Sequence, residues 1–312
     1  MLRKIRIAAA LFCFVGVTLL FLDFTGTLHA WLGWLAEIQF LPAVLADYLW
    51  RVRLPFSLVV LTLLFGRVYC SVVCPLGVMQ DLFARMGRRQ KKNRYAYSPA
   101  LTWLRYGVLA LFVVLLVANM AALAALVAPY SAYGRIAQNL LAPLYAWGNN
   151  LLALAAERAD SYAFYTTEVW MKGAAAFAVA VVTLVVVGTL AWRNGRTWCN
   201  TICPVGSVLG LLSKYSLFRP VIDPAKCTGC KLCARNCKAA CIDVEHHAID
   251  HNRCVVCLDC IDKCRQGAIV YERRRKSDPA ACAEPGTRLR AGAEAGEPAD
   301  RSRRRFLGVA GL

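Results

Sequence analysis

The chain has 312 residues, 58% of them hydrophobic and 18% charged. Soluble domains hold about 45–50% apolar residues, so a wholly soluble protein is disfavoured and the excess must sit in membrane. The net charge of +18 lies largely beside the apolar runs, as the positive-inside rule expects. No stacking aromatics interleave the basic stretches, so nucleic acid is excluded as a partner.

Taken in chain order, the first apolar run covers residues 5–24, after the basic start MLRKIR. No convincing small-residue cleavage site follows it and more runs come later, so it reads as an anchor rather than a signal peptide. Residues 29–50 are apolar and carry Trp31, Trp34, Tyr48 and Trp50, but Glu37, Pro42 and Asp47 break the stretch. That pattern reads as an interfacial or re-entrant segment on the outer face. Further spans are predicted at 54–69, 101–128 and 173–192. Residues 129–172 are read as a long outer loop. Arg85, Arg88, Arg89, Lys91, Lys92 and Arg94 follow the second span, and Arg193, Arg196, Lys214 and Arg219 follow the fourth. This bias predicts a multi-pass membrane protein with both termini cytoplasmic.

Two spans end in the same words. Gly66 begins GRVYCSVVCPLG and Gly195 begins GRTWCNTICPVG, both reading Gly-Arg-x-x-Cys-x-x-x-Cys-Pro-x-Gly. The echo predicts a two-fold internal repeat. On a helix, i and i+4 share a face, which would pair Cys70 with Cys74 and Cys199 with Cys203. Pro75 and Pro204 suit the first position of new helices, and the helix dipole would then favour thiolate at Cys74 and Cys203. The four thiols are expected to converge at the inner membrane surface. Three readings of them stand side by side: small apolar packing, a redox-active thiol set, and a shared thiolate metal site.

The strongest motif follows. CTGCKLCARNC supplies Cys227, Cys230, Cys233 and Cys237, and CVVCLDCIDKC supplies Cys254, Cys257, Cys260 and Cys264. Each run is C-x2-C-x2-C-x3-C. In two-cluster ferredoxins the fourth cysteine of one run ligates the other cluster. One [4Fe–4S] cluster is therefore assigned to Cys227, Cys230, Cys233 and Cys264, and a second to Cys254, Cys257, Cys260 and Cys237. Cys241 is an alternative ligand. Structural zinc sites instead set one C-x2-C pair against another across a gap. Residues 241–253 read as a short hairpin and 267–271 as a closing strand. Lys238 and Arg265 follow the fourth cysteines where ferredoxins usually have proline, and their charge is expected to raise the cluster potentials.

The fold class expected is an all-α polytopic membrane domain of four transmembrane helices with a two-fold repeat, plus a small α+β two-cluster ferredoxin domain. The domains are 1–218, 219–272 and a disordered basic linker at 273–312. That linker ends in Ser302, Arg303, Arg304, Phe306 and Leu307, a twin-arginine-like pattern. Cys13 is assigned to packing and Cys282 to a free thiol. His246, His247 and His251 are assigned to solvated positions around the hairpin. His29, Glu37 and Asp47 are the ionisable groups of the outer segment where a quinol site would need a proton acceptor.

Four spans, paired C-x3-C-P motifs at cytoplasmic helix ends and a following two-cluster module resemble the NapH, NosR and CcoG group of membrane polyferredoxins. The resemblance covers roughly residues 1–271, and the layout is nearest to NapH-type members. It implies membrane electron transfer between the quinone pool or a cytoplasmic donor and a periplasmic redox partner, as in a quinol dehydrogenase component. CcoG-type members imply an alternative, a metal-reducing copper assembly factor for a respiratory oxidase. A structural anchor that merely holds clusters is the third reading. Quinone, and a further metal at the C-x3-C-P cysteines, are the additional cofactors these readings carry.

Overall fold

The computed structural model describes residues 2–23, 26–39, 53–89, 95–158, 166–168 and 173–274. Asp47, Cys282 and the twin-arginine-like end lie outside the described residues, as does most of the second half of the predicted outer segment. Residues 1–276 form one compact unit.

The apolar runs fold as helices because Ala, Leu, Val and Phe dominate them and no acid interrupts them. Helix α1 spans Leu2–Leu22. Short helices α2 (Thr27–Leu32) and α3 (Trp34–Glu37) follow, with the Asp23 carboxylate accepting from the backbone N–H of Gly26, Leu28 and His29. Helix α4 is Arg53–Phe65, α5 is Val68–Val72 and α6 is Pro75–Arg89. Among the described residues, α1 and the later Ala174–Asn194 helix are long and apolar enough to cross a membrane. Helix α4 and α7 (Thr102–Val117) are shorter apolar helices.

Two expectations need correction. The 101–128 run is not one helix. It breaks after α7 at Asn119, whose φ is +57°, and resumes as α8 (Ala121–Val127). Asn tolerates the left-handed region better than other non-glycine residues, so it marks the break. The predicted loop at 129–172 is largely helical. Helix α9 (Pro129–Ile136) passes through a π-helical turn at Ala137–Leu141 into α10 (Ala142–Glu157). Its alanines and leucines were legible, but Pro129, Pro143 and scattered polar residues obscured the period. Pro129 in fact stands in the first turn of α9, where no intrahelical N–H is lost, and Pro143 directly follows the π-helical turn.

Helix α11 (Ala174–Asn194) packs along α6 and α9, and is followed by α12 (Thr197–Thr201) and α13 (Pro204–Ser213). Strand β1 (Phe218–Ile222) then pairs antiparallel with β4 (Ile269–Arg273), joining Pro220 to Tyr271 and Ile222 to Ile269. Between them lie α14 (Leu232–Asn236), the two-residue hairpin strands β2 (Ile242–Asp243) and β3 (Ala248–Ile249), and α15 (Asp259–Lys263). The hairpin and closing strand thus stand where the alternation put them.

The two cores abut. One apolar cluster contains Cys13, Val17, Leu35, Tyr69, Cys70, Cys74, Leu76, Cys203, Leu209 and Val255, with Cys257 packed against it. Cys13 is therefore a packing residue. The other cluster is built on Ile222, Cys233, Cys237, Cys241, Ile242, Ile249, Cys260 and Ile269. Val255 and Cys257 of the second cysteine run thus reach the helical core.

Candidate iron–sulfur and thiol centres

The echoed motif is used residue by residue. Gly66 and Gly195 turn the chain at φ +75° and +72°, a conformation that side chains resist. Arg67 and Arg196 are fully buried and cross over to the opposite motif. Arg67 Nη2 donates to the carbonyl of Cys199 at 3.3 Å, and Arg196 Nη1 to the carbonyl of Cys70 at 2.6 Å. Gly77 and Gly206 lie against the carbonyls of Cys70 and Cys199, leaving no room for a side chain. Cys203 caps α13 by accepting the Gly206 N–H at 3.3 Å, and the Gly77 N–H does the same for Cys74.

The pairing on one helix face does not hold. Cys70 lies in α5, which ends at Val72, while Cys74 precedes α6; Cys199 lies in α12 while Cys203 precedes α13. The proline after the second cysteine ends one helix and starts the next. The four thiols nevertheless lie near enough to perturb one another's ionisation. All four are buried. Gln80 Nε2 donates to Cys199 Sγ at 3.3 Å, and Arg67 Nη2 lies 3.9 Å from Cys70 Sγ.

Thiolate stabilisation by helix N-termini is also corrected. Burial pushes Cys74 and Cys203 well up and Cys199 up to about 11, and the neighbouring thiols add to the rise. Desolvation outweighs a single capping N–H. Without a bound cation these are thiols. A metal would invert that order, since a coordinating thiol is deprotonated outright. Around them Arg67 Nε, Arg196 Nη2 and Gln80 Oε1 are buried without a hydrogen-bond partner. Leaving such a group unpaired costs about 1–3 kcal/mol. Two guanidinium N–H groups are thus left open beside the four thiols.

In the ferredoxin module, Cys237, Cys241, Cys254, Cys257 and Cys260 line one apolar cavity, with Ile242, Ile249 and Val255 among its walls. Four of these are the set assigned to one cluster. Cys241 Sγ is 3.5 Å from Cys237 Sγ. Hydrogen bonding from Cys241 lowers the Cys237 pKa and raises that of Cys241. Cys227 and Cys230 act electrostatically on Cys233, which gathers three of the other set. Cys264 Sγ accepts the Ala268 N–H at 3.3 Å. Cys230 is exposed, whereas Cys237 and Cys260 are buried. Lys231, Leu258 and Val256 hold positive φ, the tight turns that wrap cysteines round a cluster.

Among the described residues, no three His, Cys, Asp or Glu side chains close on a single ion. A mononuclear site draws sulfur to about 2.3 Å from its metal. A cubane is far larger than one ion, and the walls of the Cys254 cavity are apolar as a cluster requires; the donors fit that group.

The module docks through backbone. Lys238 C=O accepts from Arg196 N–H at 2.9 Å, and Ala239 C=O from Asn200 Nδ2 at 3.3 Å. Arg67 Nη1 donates to Asn252 C=O at 3.1 Å. Arg105, a buried cation in α7, donates to Gly206 C=O at 3.1 Å. Sequence reasoning missed Arg105, Gln80 and Asp81. The signals existed: Arg105 is a lone cation in an apolar run, and Asp81 the single acid of a basic helix. Lys238 is not the free charge expected. Its Nζ pairs with Asp81 at 3.3 Å and Asp259 at 3.0 Å. Arg265 is exposed. His246 is exposed and pairs with Asp243 at 2.8 Å.

A family model described as a 4Fe-4S binding domain matches residues 50–94 and 174–222. Each stretch contains one C-x3-C-P motif. NosR of Stutzerimonas stutzeri, a regulatory protein, is 26% identical over 83% of this chain and 33% of its own length. The ferredoxin-type protein NapH of Haemophilus influenzae is 28% identical over 67% of this chain and 63% of its own. The methylamine utilization ferredoxin-type protein MauN of Methylobacillus flagellatus is 27% identical over 66% and 62%. The chain thus spans about a third of NosR and somewhat under two thirds of NapH and MauN. No solved structure matches. With cysteines gathered in apolar surroundings and these relatives in view, the chain is an iron–sulfur protein related to the ferredoxin-type proteins NapH and MauN and to NosR.

Proposed function

We propose that the chain is an integral-membrane electron-transfer protein that relays electrons between the quinol pool or a cytoplasmic donor and a periplasmic redox partner. The observation that carries this reading is the adjacency of its centres: Cys257, of one cluster set, packs against the core that holds Cys70, Cys74 and Cys203. When bound, a [4Fe–4S] cluster supplies a one-electron couple. Cys227, Cys230, Cys233 and Cys264 would hold one cluster. Cys254, Cys257, Cys260 and Cys237 would hold the other. The chain's apolar walls exclude water from the second set, and Arg67 and Arg196 supply fixed positive charge beside the four C-x3-C-P thiols.

Helices α1, α4, α7 and α11 are the proposed spans, with the ferredoxin module on the cytoplasmic side of a bacterial inner membrane. The reciprocal arginines support an internal two-fold repeat. A second reading, reduction of a soft metal ion for oxidase assembly, is favoured by one observation, the burial of four thiols beside orphaned guanidinium groups.

The test is an EPR-monitored redox titration of the purified protein in detergent, with and without a quinol analogue, paired with iron analysis. Two reducible [4Fe–4S] signals that respond to quinol support the relay. Iron for fewer than two clusters overturns it. Two clusters indifferent to quinol, with copper retained at Cys70, Cys74, Cys199 and Cys203, favour metal reduction.

A further inference from the structure

A chain of alternating charges joins the two cysteine centres. It begins at Arg196, three residues before Cys199, whose guanidinium also holds the Cys70 carbonyl. Arg196 Nε donates to Asp81 Oδ1 at 2.7 Å. Asp81 Oδ2 faces Lys238 Nζ at 3.3 Å and Arg6 Nη1 at 3.7 Å. Lys238 Nζ continues to Asp259 Oδ2 at 3.0 Å, and Asp259 Oδ1 ends on Arg3 Nε at 2.7 Å. Lys238 directly follows Cys237, and Asp259 directly precedes Cys260.

The chain is shielded from water. Side-chain exposure is 0% at Arg196, 13% at Lys238, 9% at Asp259 and 15% at Asp81. Charges in such a place act at a lower effective dielectric than surface pairs and are screened little by salt. Cys227 and Cys230, by contrast, sit at the exposed side of the module, where their charged neighbours are solvated. Lys226 is 64% exposed and Lys231 54% exposed.

We propose that Asp81 is a positioning residue that sets the reduction potential of the Cys237, Cys254, Cys257 and Cys260 centre and couples it to the C-x3-C-P thiols. This deepens the electron-relay reading and rests on it. Among the described residues the ion pairs of Asp81 are to Arg196, Lys238 and Arg6. It acts by neutralising Lys238 on one side and Arg196 on the other. With its carboxylate present, the cations flanking both centres are balanced. With it removed, Arg196 loses its carboxylate partner and Lys238 keeps only Asp259, so the net positive charge beside the nearby centre rises and an electron there is favoured. The charged neighbours of Cys227 and Cys230 are solvated, so their centre serves as an internal control in the same molecule.

The test uses the full chain with its clusters, in detergent, and reads the two cluster potentials by EPR. Asp81→Asn keeps the shape and one of the two accepting oxygens while removing the charge. The expected result is an upward shift of one cluster potential with the other unchanged. Lys238→Met is the second variant, for the case that Asp81→Asn does not fold. It leaves Asp81 with Arg196 and Arg6, and Asp259 with Arg3, and should shift the same cluster downward. Equal shifts of both clusters, or none in a folded variant, overturn the assignment. A wild-type protein that lacks either cluster signal overturns the relay reading instead, so the two failures are distinguishable.

Discussion

Gly195→Ala isolates the contact on which docking of the ferredoxin module turns. Gly195 has φ +72° and ψ −125°. An L residue held there costs on the order of 1–3 kcal/mol. A β-carbon would also stand 3.1 Å from the Cα and carbonyl carbon of Lys238 and closer still to its oxygen. These are backbone atoms of the segment that carries Cys237, so no rotamer change relieves the clash. Forcing such a shift costs about 1–3 kcal/mol. It also stretches the 2.9 Å bond from Arg196 N–H to Lys238 C=O, worth about 1 kcal/mol. The total is about 3–7 kcal/mol. Gly26→Ala is the comparison, since φ is again +72° but ψ is −2°, in the left-handed region that a side chain can adopt, and nothing lies within 4 Å. It should cost only about 1–2 kcal/mol. Thermal unfolding of both variants in detergent, followed by circular dichroism, measures the difference. At roughly 2–3 °C per kcal/mol for a chain of this size, Gly195→Ala should melt about 5–10 °C below Gly26→Ala. Equal melting temperatures would refute the reasoning, because Gly195 differs from Gly26 both in ψ and in the backbone packed against it.

Further outcomes can be measured. Cys237→Ser should lose one cluster's iron while Cys241→Ser retains both, as read by iron analysis and EPR; the reverse result would make Cys241 the ligand. Arg196→Lys keeps the charge but cannot reach both Asp81 and the Cys70 carbonyl, and should cost about 1–3 kcal/mol in thermal stability. Burial alone would raise the Asp81 pKa, but Arg196, Lys238 and Arg6 outweigh it and hold the carboxyl below the usual carboxylate range. Its folded pKa is depressed, so its stabilisation is present above the unfolded value near ~3.9 and fades as pH falls below it. Urea midpoints between pH 3 and 5 should therefore fall less steeply in Asp81→Asn than in wild type. In cluster-free protein, iodoacetamide at neutral pH should label Cys199 and Cys203 far more slowly than exposed Cys230, because burial raises their pKa values; equal rates would contradict that burial.

What could be read from sequence followed from rules of spacing. The C-x2-C-x2-C-x3-C runs name their cysteines because each short interval lets the chain wrap a cluster locally. The paired Gly-Arg-x-x-Cys-x-x-x-Cys-Pro-x-Gly words showed that two distant segments do the same job. The hairpin at Ile242 and Ala248 and the strand at Ile269 were legible from alternation. Helical periodicity could not reveal the break at Asn119, since the run stays apolar on both sides of it. Nor could it reveal the helix over Pro129–Ile136, in the stretch read as an outer loop.

The partners of charged groups were beyond any local reading. Arg67 and Arg196 look alike in sequence, and nothing in either motif says that each crosses to the other's carbonyl. Lys238 looked like an isolated cation beside a cluster cysteine. Only the packing of α6 against α11 brings Asp81 to it and to Arg196. The thiols at Cys74 and Cys203 looked activated by their helix starts, but burial reverses their acidity. Sequence by itself determined which residues carry the chemistry, because ligand spacing is a property of neighbouring positions. Tertiary structure decided which charges face which cysteines, because burial and long-range pairing arise only when distant segments are packed together.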